Sequence, residues 1–201
     1  PGRGSEAAIL EEHSFTQSLA ELEIPVIAPI ADETGQTLRF HQGYRFSLCR
    51  RQGGQAPEPG DFDQINWLGR LLGRIHSVGR ATPFTHRPTL SIETFAISPS
   101  KFILENQFLP VELEKKYEQV TSLLHTGILE AFNSVEALNL IRCHGDCHIG
   151  NILWHRETGP WFVDFDDCRM APAVQDLWML LEGNRMSQIH QSSKQASRRT
   201  G

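Results

Sequence analysis

Two short apolar runs, ILWH (152–155) and WFVDF (161–165), stand on either side of the turn sequence Glu157-Thr158-Gly159-Pro160. Aromatic and β-branched residues around a Gly-containing turn are a strong local signal for a β-hairpin. A hairpin brings the chain back to its starting end, so the residues ahead of ILWH must lie beside those just past WFV. Ahead of ILWH stands RCHGDCHIGN (142–151), and past WFV come Asp164, Asp166 and Asp167. The turn therefore gathers two histidines, two cysteines, an asparagine and four aspartates into one neighbourhood. Such a gathering is either a metal-binding knot or a phosphoryl-transfer site.

The flanking pattern sets the frame. After Ser5, a natural N-cap with acidic residues behind it, Ile9, Leu10, Phe15, Leu19 and Leu22 recur at helical spacing and predict a helix over 5–22. The segment 24–51 alternates short β-branched runs with turn signals at 33–35 and 42–43, which predicts two or three antiparallel strands. QGGQAPEPG (52–60) sustains neither period and reads as a hinge or linker. Asp61 caps a long helix with Ile65, Leu68, Leu72, Ile75 and His76 on one face. Residues 81–99, with Pro83, Pro88 and Pro99, read as irregular, and 112–132 as helix. AVQDLWMLLEG (173–183) resumes helical spacing up to a stop at Gly183, and from Asn184 the chain is polar, aperiodic and expected to be disordered. The expected class is α+β. It has a partial N-terminal lobe over 1–51, a connector over 52–60, a helical C-terminal lobe carrying the hairpin over 61–183, and a tail over 184–201. A ligand cleft belongs where the two lobes meet.

Composition narrows the partners. In 201 residues, 39% of them hydrophobic, a domain can bury roughly 70% of the surface of its unfolded chain. A formal charge of -5 speaks against nucleic acid or an anionic membrane as partner, because both attract basic surfaces. No apolar run reaches the ~20 residues of a membrane span, and the opening PGRGSEAAILEEH lacks the apolar core of a signal peptide. A cytoplasmic monomer is the expectation, and its four cysteines are expected as reduced thiols.

Cys143, His144, Cys147 and His148 are all possible zinc ligands. They lie within six residues, however, whereas structural zinc sites draw separated pairs from different parts of a chain. Phosphoryl transfer uses the same stretch better. It needs a carboxylate to orient the attacking hydroxyl and oxygen ligands to hold magnesium on the phosphates. Asp146 and Asn151 supply these from one loop, and the hairpin returns Asp164 beside Asn151.

HGDCHIGN followed by FVDFDD resembles the catalytic loop and metal-binding segment of the aminoglycoside phosphotransferase and choline kinase family, which shares the protein-kinase-like two-lobe fold. More narrowly, HGDCHIGNILW, WFVDFDDCRMAPAVQDLWMLL, ILEEHSF, LGRLLGRIH and HRPT are similar to the bacterial stress response kinases over 5–183. The resemblance implies ATP-dependent phosphorylation of serine or threonine on proteins, with Mg2+ as cofactor. By the same resemblance Asp146 is the catalytic base, Asn151 a magnesium ligand, and Asp164 the ligand that bridges metal and phosphates. Asp176 supports the catalytic loop from the following helix, and His144 anchors it. Glu12 matches the helix glutamate of the nucleotide site, with Glu11 one residue away. Residues 48–51, with Cys49 and Arg51, fall where hinge backbone meets adenine. Protein kinases usually carry Arg after the loop histidine; here Gly145 stands there, so activation by loop phosphorylation is not expected.

The chain departs from the family in having no lysine before Lys101, where the pattern places one on a strand ahead of the first helix. The expectation is a fold truncated at both ends, with weak or no activity in this piece. Two alternatives stay open: a kinase acting on a small alcohol such as an aminoglycoside, choline or a homoserine-like compound, and a non-catalytic binding module.

Overall fold

The computed structural model describes residues 4–58 and 61–181, so the stop at Gly183 and the polar tail from Asn184 lie outside the described residues. Helix α1 (Glu6–Glu21) begins where Ser5 Oγ accepts the Ala8 N–H at 3.2 Å, and gives way to Glu23, which turns left-handed (φ 57°) ahead of Pro25. Its buried residues are Ala8, His13, Phe15, Thr16 and Leu19. Leu10 and Leu22, expected on that face, are exposed: Leu10 lies on the far side of the helical cycle, and Leu22 is the cap where the helix ends. The chain then runs extended, with Val26 bridging Phe162 in parallel and Pro29 bridging Cys49. Strands β1 (Arg39–His41) and β2 (Tyr44–Phe46) pair around Gln42 and Gly43, whose φ values of 48° and 82° are the left-handed pair a two-residue hairpin turn needs.

The connector is not loose throughout, since Gln55 exchanges two backbone hydrogen bonds with Trp154. Helix α2 (Phe62–Gly79) starts at Asp61, whose carboxylate accepts the Asp63 and Gln64 N–H groups, and buries Leu68, Leu71, Leu72, Ile75 and His76. The segment expected to be irregular contains more order than its prolines suggest. Thr89 bridges Met170 in parallel, and a π turn (Glu93–Ile97) leads into helix α3 (Ser98–Glu105). Pro99 sits in the first turn of α3, where its missing N–H leaves no bond unmade. Helix α4 (Val111–Asn133) contributes no buried residue.

Strand β3 (Ile141–Cys143) pairs antiparallel with β6 (Arg169–Ala171), and β4 (Ile152–His155) with β5 (Gly159–Phe162), the hairpin expected from the sequence. After β6 the expected helix is replaced by two 3-10 turns, Ala173–Asp176 and Trp178–Leu180. The segment follows its anchor rather than its period, because Asp176 is fixed by hydrogen bonds from His76, His144 and Gly145.

One buried cluster joins these parts: Phe15 and Leu19 from α1, Leu68, Leu72 and Ile75 from α2, Ile152 and Phe162 from the hairpin, and Phe165 just beyond it. Phe15 meets Phe84 and Phe165 edge to face, with ring centroids 5.5 and 6.1 Å apart. Burying each such aromatic ring contributes roughly 1.5–3 kcal/mol. The cluster therefore fixes the polar ends of the hairpin against α1 and α2.

Candidate active site

The loop between β3 and β4 is held from beneath by a buried carboxylate. Asp176, fully buried, accepts the backbone N–H of His144 at 2.9 Å and of Gly145 at 2.8 Å, and its Oδ2 lies 2.9 Å from His76 Nε2. Burial alone would raise this carboxyl, but the hydrogen bonds from His76 and Gly145 outweigh it and hold the group below its ordinary value. His144 is also fully buried, and its Nε2 donates to the Val163 carbonyl at 2.9 Å, tying the loop to the end of the hairpin. Gly145 has φ +88°, and a Cβ there would stand 2.1 Å from the Asp167 carbonyl. A side chain here would have to displace the Asp167 carbonyl.

On that support the loop presents Asp146 and Asn151. Asn151 Nδ2 donates to the Asp146 carbonyl at 3.0 Å and to Asp146 Oδ2 at 3.3 Å, so Oδ1 is the atom left to coordinate. His148 Nε2 lies 3.6 Å from the same Asp146 oxygen. The Val163 N–H donates to the Asn151 carbonyl at 3.0 Å, which places the residue before Asp164 against Asn151. Asp164 itself is left-handed (φ 64°, ψ 61°), a conformation aspartate tolerates better than most residues. Burial and then the Asp166 carboxylate push the Asp164 carboxyl up, with Asp146 adding to the effect. These are hard oxygen donors brought together by the fold, a set that suits Mg2+. A divalent cation would relieve the crowding of negative charge around Asp164.

A cleft of about 210 Å³ opens beside Asp164, lined by Glu12, His13 and Thr16 of α1, by Ile27, Pro29, Ser47 and Cys49 of the extended segments, and by Val163 and Phe165. Glu12 thus faces the cleft, and burial pushes its carboxyl up, with Arg87 opposing. Glu11 turns elsewhere and accepts four hydrogen bonds from Thr85, His86 and Arg87. Cys49 lies in the cleft wall, its thiol pushed up by burial and then by Glu12, whereas Arg51 is exposed and outside the lining.

The four residues weighed as a zinc knot do not converge. Cys143 donates toward the Ala171 carbonyl, Cys147 packs in the main cluster, His144 holds Val163, and His148 caps the Gly150 N–H. Burial pushes the Cys168 thiol up to about 12 and raises the Cys143 and Cys147 thiols as well, so all three are protonated packing groups. Sequence reasoning missed Arg87 and His76 as contributors to the site. Arg87 was visible only as part of HRPT, and His76 only as the end of LGRLLGRIH and as one more residue on an apolar helix face.

Strand pairing, the loop held by a buried aspartate and the acidic hairpin end together belong to a protein-kinase-like fold. The chain matches the model of the phosphotransferase enzyme family over residues 1–198 and belongs to that family. Stress response kinase A of Escherichia coli is 43% identical over 188 residues, which are 94% of this chain and 56% of that protein. The serine/threonine protein kinase RdoA of Salmonella typhimurium is 41% identical over 188 residues, again 94% of this chain and 56% of the relative. The chain thus spans 56% of the length of these curated relatives. Among solved structures, amicoumacin kinase in complex with AMP-PNP and Ca2+ superposes with a TM-score of 0.73 at 16% identity, covering 96% of this chain and 62% of that one. Spectinomycin phosphotransferase in complex with ADP and spectinomycin does so with a TM-score of 0.64 at 18% identity, covering 92% and 61%. At those identities the likeness is one of fold.

Proposed function

We propose that this chain carries the phosphoryl-transfer site of an ATP-dependent protein kinase acting on serine or threonine. Asp146 would take the proton of the attacking hydroxyl, while Asn151 Oδ1 and Asp164 would hold Mg2+ on the nucleotide phosphates. Bound Mg2+ would supply charge neutralisation at the phosphates. The protein's own work is orientation: Asp176 and His144 fix the loop, Glu12 stands in the nucleotide cleft, and backbone near Cys49 and Arg51 would meet the adenine. The observation that carries the reading is the backbone bond from Val163 to Asn151, which puts the Asp164 end of the hairpin beside the Asp146 loop. A protein acceptor is favoured over a small alcohol because the relatives named as stress response or serine/threonine kinases are 41–43% identical, against 16–18% for the two antibiotic kinases.

The test is Mg2+-dependent transfer of labelled γ-phosphate from ATP to a generic protein acceptor, beside aminoglycoside and choline acceptors. Asp146→Asn should lower the rate by about 10²–10⁴-fold. Transfer unaffected by Asp146→Asn would refute the assignment, and transfer to the small alcohols alone would replace the acceptor class.

A further inference from the structure

The turn at 85–87 is tied to α1 from two directions. Its backbone donates to α1: Glu11 accepts the N–H groups of Thr85 at 2.7 Å, His86 at 2.8 Å and Arg87 at 2.9 Å, and the Thr85 hydroxyl at 2.7 Å. Its side chain then reaches back. Arg87 Nη1 donates to Glu12 Oε2 at 3.2 Å, Nε donates to the Cys168 carbonyl at 2.7 Å, and Nη2 donates to the Asp166 carbonyl. The Arg87 side chain is only 7% exposed. Downstream of the turn, Pro88 and Leu90 exchange backbone hydrogen bonds with Met170, so this stretch is stitched to β6 as well.

Each face of the guanidinium fork is thus engaged, which argues against a roving cation that visits the nucleotide. Its partners are the carboxylate that faces the cleft and two carbonyls of the turn just past Asp164. A fixed planar fork suits such a task, because a lysine makes a single point contact. We propose that Arg87 is a positioning residue that sets α1 and the Asp164 turn in one register, so that Glu12 and Asp164 face the cleft together. The proposal rests on the phosphotransferase reading only for its metal-binding consequence; the mechanical coupling stands without it.

The two levels separate experimentally. In the metal-free chain, amide hydrogen exchange is measured by mass spectrometry for α1 and for the segment 165–168, in wild type and in Arg87→Lys. The lysine variant keeps the charge but cannot reach Glu12 and both carbonyls, and both segments are expected to lose protection together. Unchanged exchange in both, or loss in only one, overturns the coupling. Mn2+ binding, followed through the electron paramagnetic resonance signal of the free ion, then tests the consequence. Arg87→Lys and Arg87→Met should each weaken Mn2+ by about 10–100-fold, the usual effect of losing a group that orients a metal ligand. Simple electrostatics predicts the reverse for Arg87→Met, since removing a cation near Glu12 and Asp164 should tighten Mn2+; that result, with wild-type affinity in Arg87→Lys, overturns the positioning role. Should Arg87→Met fail to fold, Arg87→Lys alone decides. Asp164→Asn is the reference: if it binds Mn2+ as wild type does, the metal assignment falls and the exchange result still judges Arg87.

Discussion

At the scale of single residues, the support of the loop is more demanding than its chemistry. Asp176 holds two backbone N–H groups and His76 in a buried site, so Asp176→Ala leaves them unpaired and should cost about 3–5 kcal/mol, read by urea denaturation. Its pH dependence has a definite sign. A carboxyl whose folded-state pKa is lowered contributes stability that is fully present above its ordinary value of 3.8 and is lost as pH falls through the lower, folded value. Asp176→Asn should therefore melt earlier than wild type at neutral pH yet decline less below about pH 4; parallel acid limbs would count against it. Gly145→Ala meets the Asp167 carbonyl from a left-handed backbone and should cost at least about 2 kcal/mol. Both residues stand in the motif as written. Arg87 and His76 do not announce themselves, because their partners lie 75 to 100 residues away along the chain and only packing brings them together.

At the scale of elements, amphipathic period and capping signals were the readable part. Helices α1 and α2 begin at Ser5 and Asp61, the two caps read from the sequence, and the β4–β5 hairpin forms, but its turn lies at 156–158, because Gly159 and Pro160 pair with His155 and Trp154 and open β5. Where a tertiary anchor competes with local period, the period loses: the residues after Pro172 form short 3-10 turns around Asp176. Helix α3 was hidden by Pro99, a residue that breaks helices everywhere except the turn where it stands. Energetics should separate the helices in the same way. Leu72→Ala, in the central cluster, should cost about 2–5 kcal/mol, whereas Leu123→Ala, on the exposed face of α4, should stay within about 0.5 kcal/mol. Thermal melts of the two variants beside wild type check the contrast.

For the molecule as a whole, the cluster that runs from Phe15 through Leu72 to Phe162 joins α1, α2 and the hairpin, and a smaller one of Ile141, Cys143 and Ala171 lies at β3 and β6. Unfolding followed by far-ultraviolet dichroism and by tryptophan fluorescence should coincide in a single transition, and two separated midpoints would show independent parts. The sequence marks a seam at 52–60, rich in Gly and Pro, and a shuffling of genes by recombination would find it the obvious place to join halves from different relatives. Such a hybrid would inherit Glu11 and Glu12 from one parent and Arg87 from the other, and Val26 apart from Phe162. The halves of this chain are therefore heritable as a pair, and a lineage that exchanged one would have to keep or rebuild the contacts that cross to the other.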